Sequence, residues 1–415
     1  MSRRVVIIGA GVIGLSAALE CARRGHRVTI IERSPAQRNG CSFGNAGMVV
    51  PSHFTPLAAP GMVALGLKWM WNPESPFYIK PRPSWDLAAW GFHFWQAATP
   101  AQVAAAAPLL RDLSLASREL FVRMADGMDF GLQERGLLML CRSEAALEEE
   151  THAAAKARAL GLQAEVLGKD DLARLEPGLD MDVLGGVRFP QDCHLQPRLL
   201  IEALEKELRA ADAELLWETE VTGWSWSEGK LRAARTTRGE IAGDDFVLCG
   251  GAWSQGLARG LPLALPMQAG KGYSLTLPDA PQPMHHCAIL TEARVAVTPM
   301  GQAMRFGGTM EIAGLNEAIS PRRVQGIIRA AGRYFPAYAL ERFQNVEPWA
   351  GLRPCSPDGL PYLGRTQAAP NLLIATGHAM MGLSLAPVTG QIAGRLLDGE
   401  PPGFDLRLLS PDRFA

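Results

Sequence analysis

The apolar residues of this chain fall into short β-branched runs separated by helical stripes, and three of the runs lead into glycine. The first covers 5–8 and passes directly into Gly9-Ala10-Gly11-Val12-Ile13-Gly14, after which small apolar residues follow at helical spacing through Ala18 and Ala22. A second run, 28–31, delivers Glu32 at its end. The run 245–249 leads into Gly250-Gly251-Ala252-Trp253-Ser254, and 372–376 leads into Gly377-His378, with a closing helix expected over 382–397. Between them the periodicity predicts helices over 100–128, 144–160, 169–175, 196–211 and 321–333. Strands are expected over 137–141, 163–167, 185–190, 267–277, 288–298 and 303–308. Leu215, Val221 and Trp224 sit in strand-like surroundings, Gly229 marks a turn, 231–237 alternates, and Arg238-Gly239 closes a hairpin.

Three strand–glycine–helix units, near 5, 245 and 372, are thus expected to build one domain from 1–60, 185–260 and 345–415. The blocks 61–184 and 261–344 build a second. No low-complexity linker separates them, so the two are interleaved, and the fold class is α/β, or α+β overall.

The first unit carries chemistry. Gly9 lets the chain turn sharply out of its strand. Gly11 has no side chain to hold a pyrophosphate away from the backbone N–H groups, and Gly14 lets the helix lie close to the sheet. The helix N-terminus offers unpaired donors to phosphates. Glu32 accepts hydrogen bonds from ribose hydroxyls and, despite the neighbouring Arg33, argues against a 2′-phosphate. A glycine motif alone is weak, but here strand, helix and acidic residue are in register, which predicts a dinucleotide site. The rival reading, a secretory signal in 5–19 behind Arg3 and Arg4, lacks a small-residue cleavage site and leaves Glu32 without a role.

Composition narrows the class. The 415 residues are 47% hydrophobic and 20% charged with a formal net charge of −1, so no basic field suggests nucleic acid. Seven cysteines, at 21, 41, 141, 193, 249, 287 and 355, are scattered without CxxC pairing, which points to reduced thiols in a cytoplasmic setting. The histidines form no HxxxH or HExxH pair, so no metal is expected, and no apolar run is long enough to cross a bilayer. After the loop 34–40, the stretch 41–53 places Ser42, Gly44, Ala46 and Gly47 around Asn45 and continues straight into Met48-Val49-Val50. Small residues there let the backbone approach something flat or charged, so the segment is expected to face the cofactor. Residues 60–99 hold Trp69, Trp71, Trp85, Trp90 and Trp95 beside Phe77, Tyr78, Phe92 and Phe94, broken by Pro73, Pro76, Pro81 and Pro83. They read as helix, extended loop, helix. These aromatics either pack onto the body of the protein or form a peripheral contact with the inner face of a membrane or with a partner.

Six motifs, in this order, are VVIIGAGVIGLSAA with Glu32, GCSFGNAGMVVPS, DDFVLCGGAWS, KGYSLTL, GLRPCSPDGLPYLG and ATGHAMMGLSLAPVTG. Together they resemble the D-amino-acid oxidase family of FAD enzymes, and most the bacterial branch acting on D-amino acids and hydroxy-D-proline. The resemblance spans essentially the whole chain. It implies a Rossmann-like FAD domain, discontinuous in sequence, and a substrate domain with a mostly antiparallel sheet. It also implies non-covalent FAD, with Gly9, Ala10, Gly11, Val12, Ile13, Gly14, Glu32 and Arg33 holding the ADP half and Ser42, Asn45, Ala46 and Gly47 along the pyrophosphate and flavin. Val221 would contact the adenine through its backbone, with Gly250 and Trp253 near the ADP half. Gly377, His378, Gly382, Leu383 and Ser384 would approach the flavin ring, the last helix aiming its N-terminus at the N1–C2=O edge. Cys41 departs from the family, where a hydroxyl residue is common.

The implied chemistry is hydride transfer from Cα to flavin N5, giving an imine that water hydrolyses, with electrons passed to a quinone or other carrier. It needs an anchor for the substrate carboxylate, and a planar guanidinium gives a two-point grip. Arg353, between Gly351 and Pro354 in an expected rigid turn, is the choice, with the Tyr273 hydroxyl as a second donor. His53, Met48 and Met380 are expected to line the pocket, His53 as a polar group and the methionines as an adaptable wall. The alternatives are a glycine- or sarcosine-type oxidase using O₂ and a non-catalytic flavin subunit of a larger amine dehydrogenase. The intact arginine segment argues against the latter.

Overall fold

The computed structural model describes residues 2–69 and 75–415. A six-stranded sheet runs in the order Tyr362–Thr366, Ala369–Thr376, Asp245–Leu248, Arg4–Ile8, Arg27–Ile31, Glu214–Leu216. All neighbours are parallel except the first pair. Alternation along Arg4–Ile8 explains why the run is apolar throughout: both faces are covered. Val5 and Ile7 pack into the core beneath the helices Val12–Arg23, Pro197–Ala210 and Ala386–Asp398. Val6 and Ile8 face a second core with Trp224 and Leu231 of the antiparallel ribbon Val221–Ser227, Lys230–Thr236 and Gly239–Ala242.

The second sheet has nine strands. Its path runs Trp349–Cys355, Gln268–Leu277, Ala303–Ile312, Val295–Met300, Cys287–Leu290, Leu137–Cys141, Gly185–Phe189, Glu165–Gly168, and Phe77–Ile79 pairs with Ala303–Ile312. Only the pairings Cys287–Leu290 with Leu137–Cys141 and Ala303–Ile312 with Phe77–Ile79 are parallel. Helix Pro321–Tyr334 lays Val324, Ile327, Ile328 and Ala331 on this sheet against Phe306 and Tyr338. A two-stranded link, Met48–Val49 with Cys193–His194, runs between the sheets' connecting segments.

Three sequence expectations are corrected. Gly185–Phe189 and Trp349–Cys355, allotted to the nucleotide-binding block, are hydrogen-bonded into the nine-stranded sheet. The single strand expected over 288–298 is two, Cys287–Leu290 and Val295–Met300, because the chain turns back through Arg294 at φ 52°. The last helix begins at Ala386 rather than 382, with Pro387 in its first turn, where a missing N–H costs nothing. The glycine turn and helix start expected after 245–249 are present, as a 3₁₀ turn, Gly251–Trp253, followed by a short helix, Ser254–Ala258.

In the aromatic segment, helix Met62–Trp69, strand Phe77–Ile79 and helix Trp85–Ala97 are present. Trp71 and Pro73, and the side chain of Trp69, lie outside the described residues. Ser84 starts the helix Trp85–Ala97 by accepting from the Leu87 N–H. One face of it is anchored: Trp90 is buried and donates from Nε1 to the Cys355 carbonyl at 2.9 Å. The other is bare, with Trp85 92%, Phe92 54% and Trp95 63% exposed. Among the described residues no helix is long and apolar enough to cross a membrane.

Candidate active site

A cavity of about 550 Å³ opens beyond the carboxyl ends of the parallel strands, the place where open α/β sheets receive ligands. Its walls include Gly9, Ala10, Gly11, Val12 and Ile13 from the first turn, Glu32 and Arg33 from the second strand, and Ser42 and Asn45 from the small-residue segment. Val221, Gly250, Trp253, His378, Gly382 and Leu383 complete the predicted set that reaches it.

The local geometry follows from the sequence. Gly9 turns at φ +105°, and the helix that follows packs so closely that a Cβ on Gly14 would stand 1.9 Å from the Gly9 carbonyl oxygen. Glu32 pins this turn: Oε2 accepts from the Ala10 N–H and Oε1 from the Ser34 N–H, both at 2.9 Å. Each oxygen keeps a further lone pair for a ribose hydroxyl. Ser42 Oγ accepts from the Val12 N–H at 3.0 Å. The Arg33 guanidinium stacks 3.7 Å from the Trp253 ring centroid, joining two residues that the sequence flagged separately.

These walls fit a dinucleotide. A Cβ on Gly11 would meet nothing closer than Ser42 Oγ at 3.6 Å, so there is room beside the helix N-terminus for a phosphate. At the other end His378 is buried with Nε2 on Thr389 Oγ1 at 3.0 Å, while Nδ1 has no partner among the described residues. Burial pushes its imidazole down to about 3, so the ring is neutral and its open nitrogen is available to a ligand. Gly14, Ala46, Gly47, Gly377 and Ser384 stand behind the wall rather than in it. Gly47 accepts from the Leu195 N–H, Gly377 turns at φ +75° against Tyr362, and Ser384 Oγ accepts from the Val50 N–H.

Arg353 reaches the same cavity from the nine-stranded sheet. It sits in the strand Trp349–Cys355, not in a turn; the turn follows at Pro357–Gly359. Its guanidinium lies over Gly272 of the neighbouring strand, where a Cβ would come within 2.2 Å of both terminal nitrogens. Nη1 donates to the Thr309 carbonyl at 2.8 Å. Among the described residues no carboxylate pairs with it.

The other expected substrate contacts are placed elsewhere. Alternation along Gln268–Leu277 puts Gly272 under Arg353 and sends Tyr273 to the opposite face, where it is 1% exposed. The Tyr273 hydroxyl donates to Glu311 Oε2 at 2.6 Å, and burial followed by that bond raises its pKa. Met48 belongs to the core beside the helices, and Met380 projects into solvent, 50% exposed. His53 is not a wall residue either: its Nδ1 lies 3.1 Å from Ser52 Oγ, and burial, then Arg294, lower it to about 4. Ser52 in turn holds buried Asp192 through its N–H and hydroxyl, and burial pushes that carboxyl up to about 7.

Three residues that the sequence did not assign, Arg305, Arg38 and Glu317, also shape the site. Arg305 donates from Nη1 to the Phe43 and Asn45 carbonyls at 3.0 and 2.7 Å, clamping the small-residue segment. Burial, then Arg198, lower it to about 10. Arg38 donates to the Ala10 carbonyl at 2.7 Å and pairs with Glu205. Cys41 and Glu317 line the cavity near Arg353. Only the strand alternation of Arg305 against core Phe306 hinted at its inward role.

The family profile for FAD dependent oxidoreductase (DAO) matches residues 4–396. The chain is 30% identical over 423 residues to the D-amino acid dehydrogenase of Bradyrhizobium diazoefficiens, covering 99% of each. It is 31% identical over 425 residues to that of Cereibacter sphaeroides, covering 99% of this chain and 97% of the relative. Among solved structures it resembles glycine oxidase from Geobacillus kaustophilus, with a TM-score of 0.79, 25% identity and 99% of each chain covered. L-proline dehydrogenase from P. horikoshii shares the fold at a TM-score of 0.76 and 18% identity, covering 100% of this chain and 98% of the other. Sequence, fold and a cavity built for a dinucleotide agree: the chain belongs to the DAO family of FAD-dependent oxidoreductases.

Proposed function

We propose that this enzyme oxidatively deaminates D-amino acids, D-proline or hydroxy-D-proline among them, and passes the electrons to a quinone or other carrier. The observation that carries the reading is Arg353, a half-buried cation with one backbone acceptor and, among the described residues, no counter-ion. Such a group calls for an anionic ligand, and a carboxylate meets its two terminal nitrogens with matching geometry. Bound FAD supplies a two-electron acceptor.

The chain's own residues do the rest. Arg353 fixes the carboxylate and so limits the orientations open to Cα, which is the larger part of what positioning contributes. Among the described residues the wall's one imidazole, His378, is neutral and takes no proton from the amine at ordinary pH, so the substrate nitrogen must arrive with its lone pair free. The preference for D substrates rests on the full-length similarity to D-amino acid dehydrogenases. The exposed Trp85, Phe92 and Trp95 support a peripheral contact of helix Trp85–Ala97 with a membrane surface, where a quinone is dissolved.

Anaerobic bleaching of the flavin by a panel of D- and L-amino acids, glycine, sarcosine, D-proline and cis-4-hydroxy-D-proline tests the reading. Bleaching by D-amino acids, dye reduction without peroxide, and a severe slowing of both in Arg353→Met are expected. Stoichiometric peroxide in air, with glycine or sarcosine preferred, would replace it with the oxidase reading that the likeness to glycine oxidase favours. Replacing Trp85 and Trp95 by Ser is expected to reduce sedimentation with anionic vesicles, and unchanged sedimentation would remove the membrane contact.

A further inference from the structure

Glu317 sits on the loop 313–320, which joins strand Ala303–Ile312 to helix Pro321–Tyr334 and borders the mouth of the cavity. Its position is set from both sides. Asn316 Oδ1 accepts from the Ala318 N–H at 2.8 Å, and the Ala318 carbonyl accepts from Lys271 Nζ at 2.7 Å. Lys271 is itself 1% exposed and lies 3.6 Å from Glu311, so the loop is tied to a charge buried in the sheet. The Glu317 carboxylate is open to water and, among the described residues, has neither an ion pair nor a hydrogen-bond partner. Glu317 and Arg353 lie within electrostatic reach of Cys41 and act on its thiol in opposite directions. The cavity wall therefore carries a cation at Arg353 and, on the loop 313–320, the water-open carboxylate of Glu317.

The anion is badly suited to the α-amine. A carboxylate beside that nitrogen would favour its protonated form, whereas oxidation at Cα needs the lone pair free. At the rim, it suits a positive charge several bonds away. We propose that Glu317 is a specificity-determining residue that selects D-amino acids with a cationic side chain, an ammonium or guanidinium, once Arg353 has taken the carboxylate. This rests on the D-amino-acid reading above and names the class of substrate within it.

D-lysine and D-norleucine differ chiefly by the terminal ammonium, so the ratio of their kcat/KM values isolates the charge. In the FAD-loaded enzyme the ratio is expected to exceed one and to fall as salt is raised. Glu317→Gln should lower it about fivefold, the size of a charge pair open to water, and chiefly through KM. Glu317→Lys should lower it further and improve turnover of D-glutamate relative to D-norleucine. A wild-type ratio below one, or a ratio unmoved by Glu317→Gln while D-norleucine is still oxidised, overturns this inference alone. If wild type oxidises no D-amino acid in the panel, the D-amino-acid reading falls and this inference falls with it.

Discussion

Gly272 is the sharpest handle on Arg353, because it tests the guanidinium's position without removing it. An alanine Cβ there would lie 2.2 Å from Nη1 and Nη2, whereas ordinary contact begins at 3.4 Å. The guanidinium must therefore retreat by roughly 1 Å or more, and its bond to the Thr309 carbonyl is lost. Gly272 pairs with Gly351 on one side and sits at the register shift between Lys271 and Tyr273 on the other, but its φ is not positive, so alanine can adopt its backbone and is favoured by about 0.5–1 kcal/mol over glycine in a strand. That gain offsets the roughly 1 kcal/mol of the lost hydrogen bond. Gly272→Ala should thus keep its fold, its melting temperature within a few degrees and its yellow colour. A misplacement of about 1 Å costs on the order of 100-fold in turnover, so kcat/KM should drop by that factor in a stopped-flow or dye-reduction assay. Arg353→Met, which removes the grip, should cost about 2–5 kcal/mol in kcat/KM. If Gly272 acts only through Arg353, adding Gly272→Ala to Arg353→Met changes nothing further. A Gly272→Ala enzyme within threefold of wild type, or a double variant whose losses simply add, would refute the reasoning.

Three other outcomes follow from the same geometry. Gly14→Ala drives a Cβ into the Gly9 carbonyl oxygen, backbone against backbone, so the turn must open; the purified protein should be colourless and should not regain its spectrum with added FAD. Arg305→Met leaves the Phe43 and Asn45 carbonyls without their donor, and should lower the melting temperature and weaken FAD about tenfold in a fluorescence titration. Unchanged affinity would show that the clamp plays no part in the cofactor wall. Asp192 makes stability depend on pH. Its carboxyl is raised by burial from 3.8 to about 7, so within that window the folded protein holds a proton that the unfolded chain has released. Its contribution therefore falls as pH rises through the window and levels off above about 7. Asp192→Asn should flatten the change in urea midpoint between about pH 5 and about pH 8, and an identical slope would count against the buried carboxyl.

What could be read from the sequence was whatever one segment settles by itself. The turn 9–14, its strand and Glu32 lie within about thirty residues, so spacing alone carried the glycine, acid and helix into one place. The runs 245–249 and 372–376 announced buried parallel strands for the same reason: both faces are covered and the apolar residues are continuous. The Arg353 end is different in kind, because its geometry is made by register between strands distant in sequence. Arg353 faces the cavity because Trp349–Cys355 pairs with Gln268–Leu277 so that Gly270 lies opposite Arg353 and Gly272 leaves space beneath the guanidinium. The same alternation turns Tyr273 away, and a shift in register between Lys271 and Tyr273 brings both to Glu311. Motif order could name Tyr273 and Arg353 but could not say on which face each stands, and a one-residue step decides it. Arg305 and Glu317 were silent for a related reason. Each is placed by another segment, Arg305 by the Phe43 and Asn45 carbonyls and the loop of Glu317 by Lys271 on the Ala318 carbonyl, and nothing in their own neighbourhoods records that partner. The glycine-turn end of this cavity is thus written locally, while the placement of Arg353 and Tyr273 is written in the pairing of the second sheet.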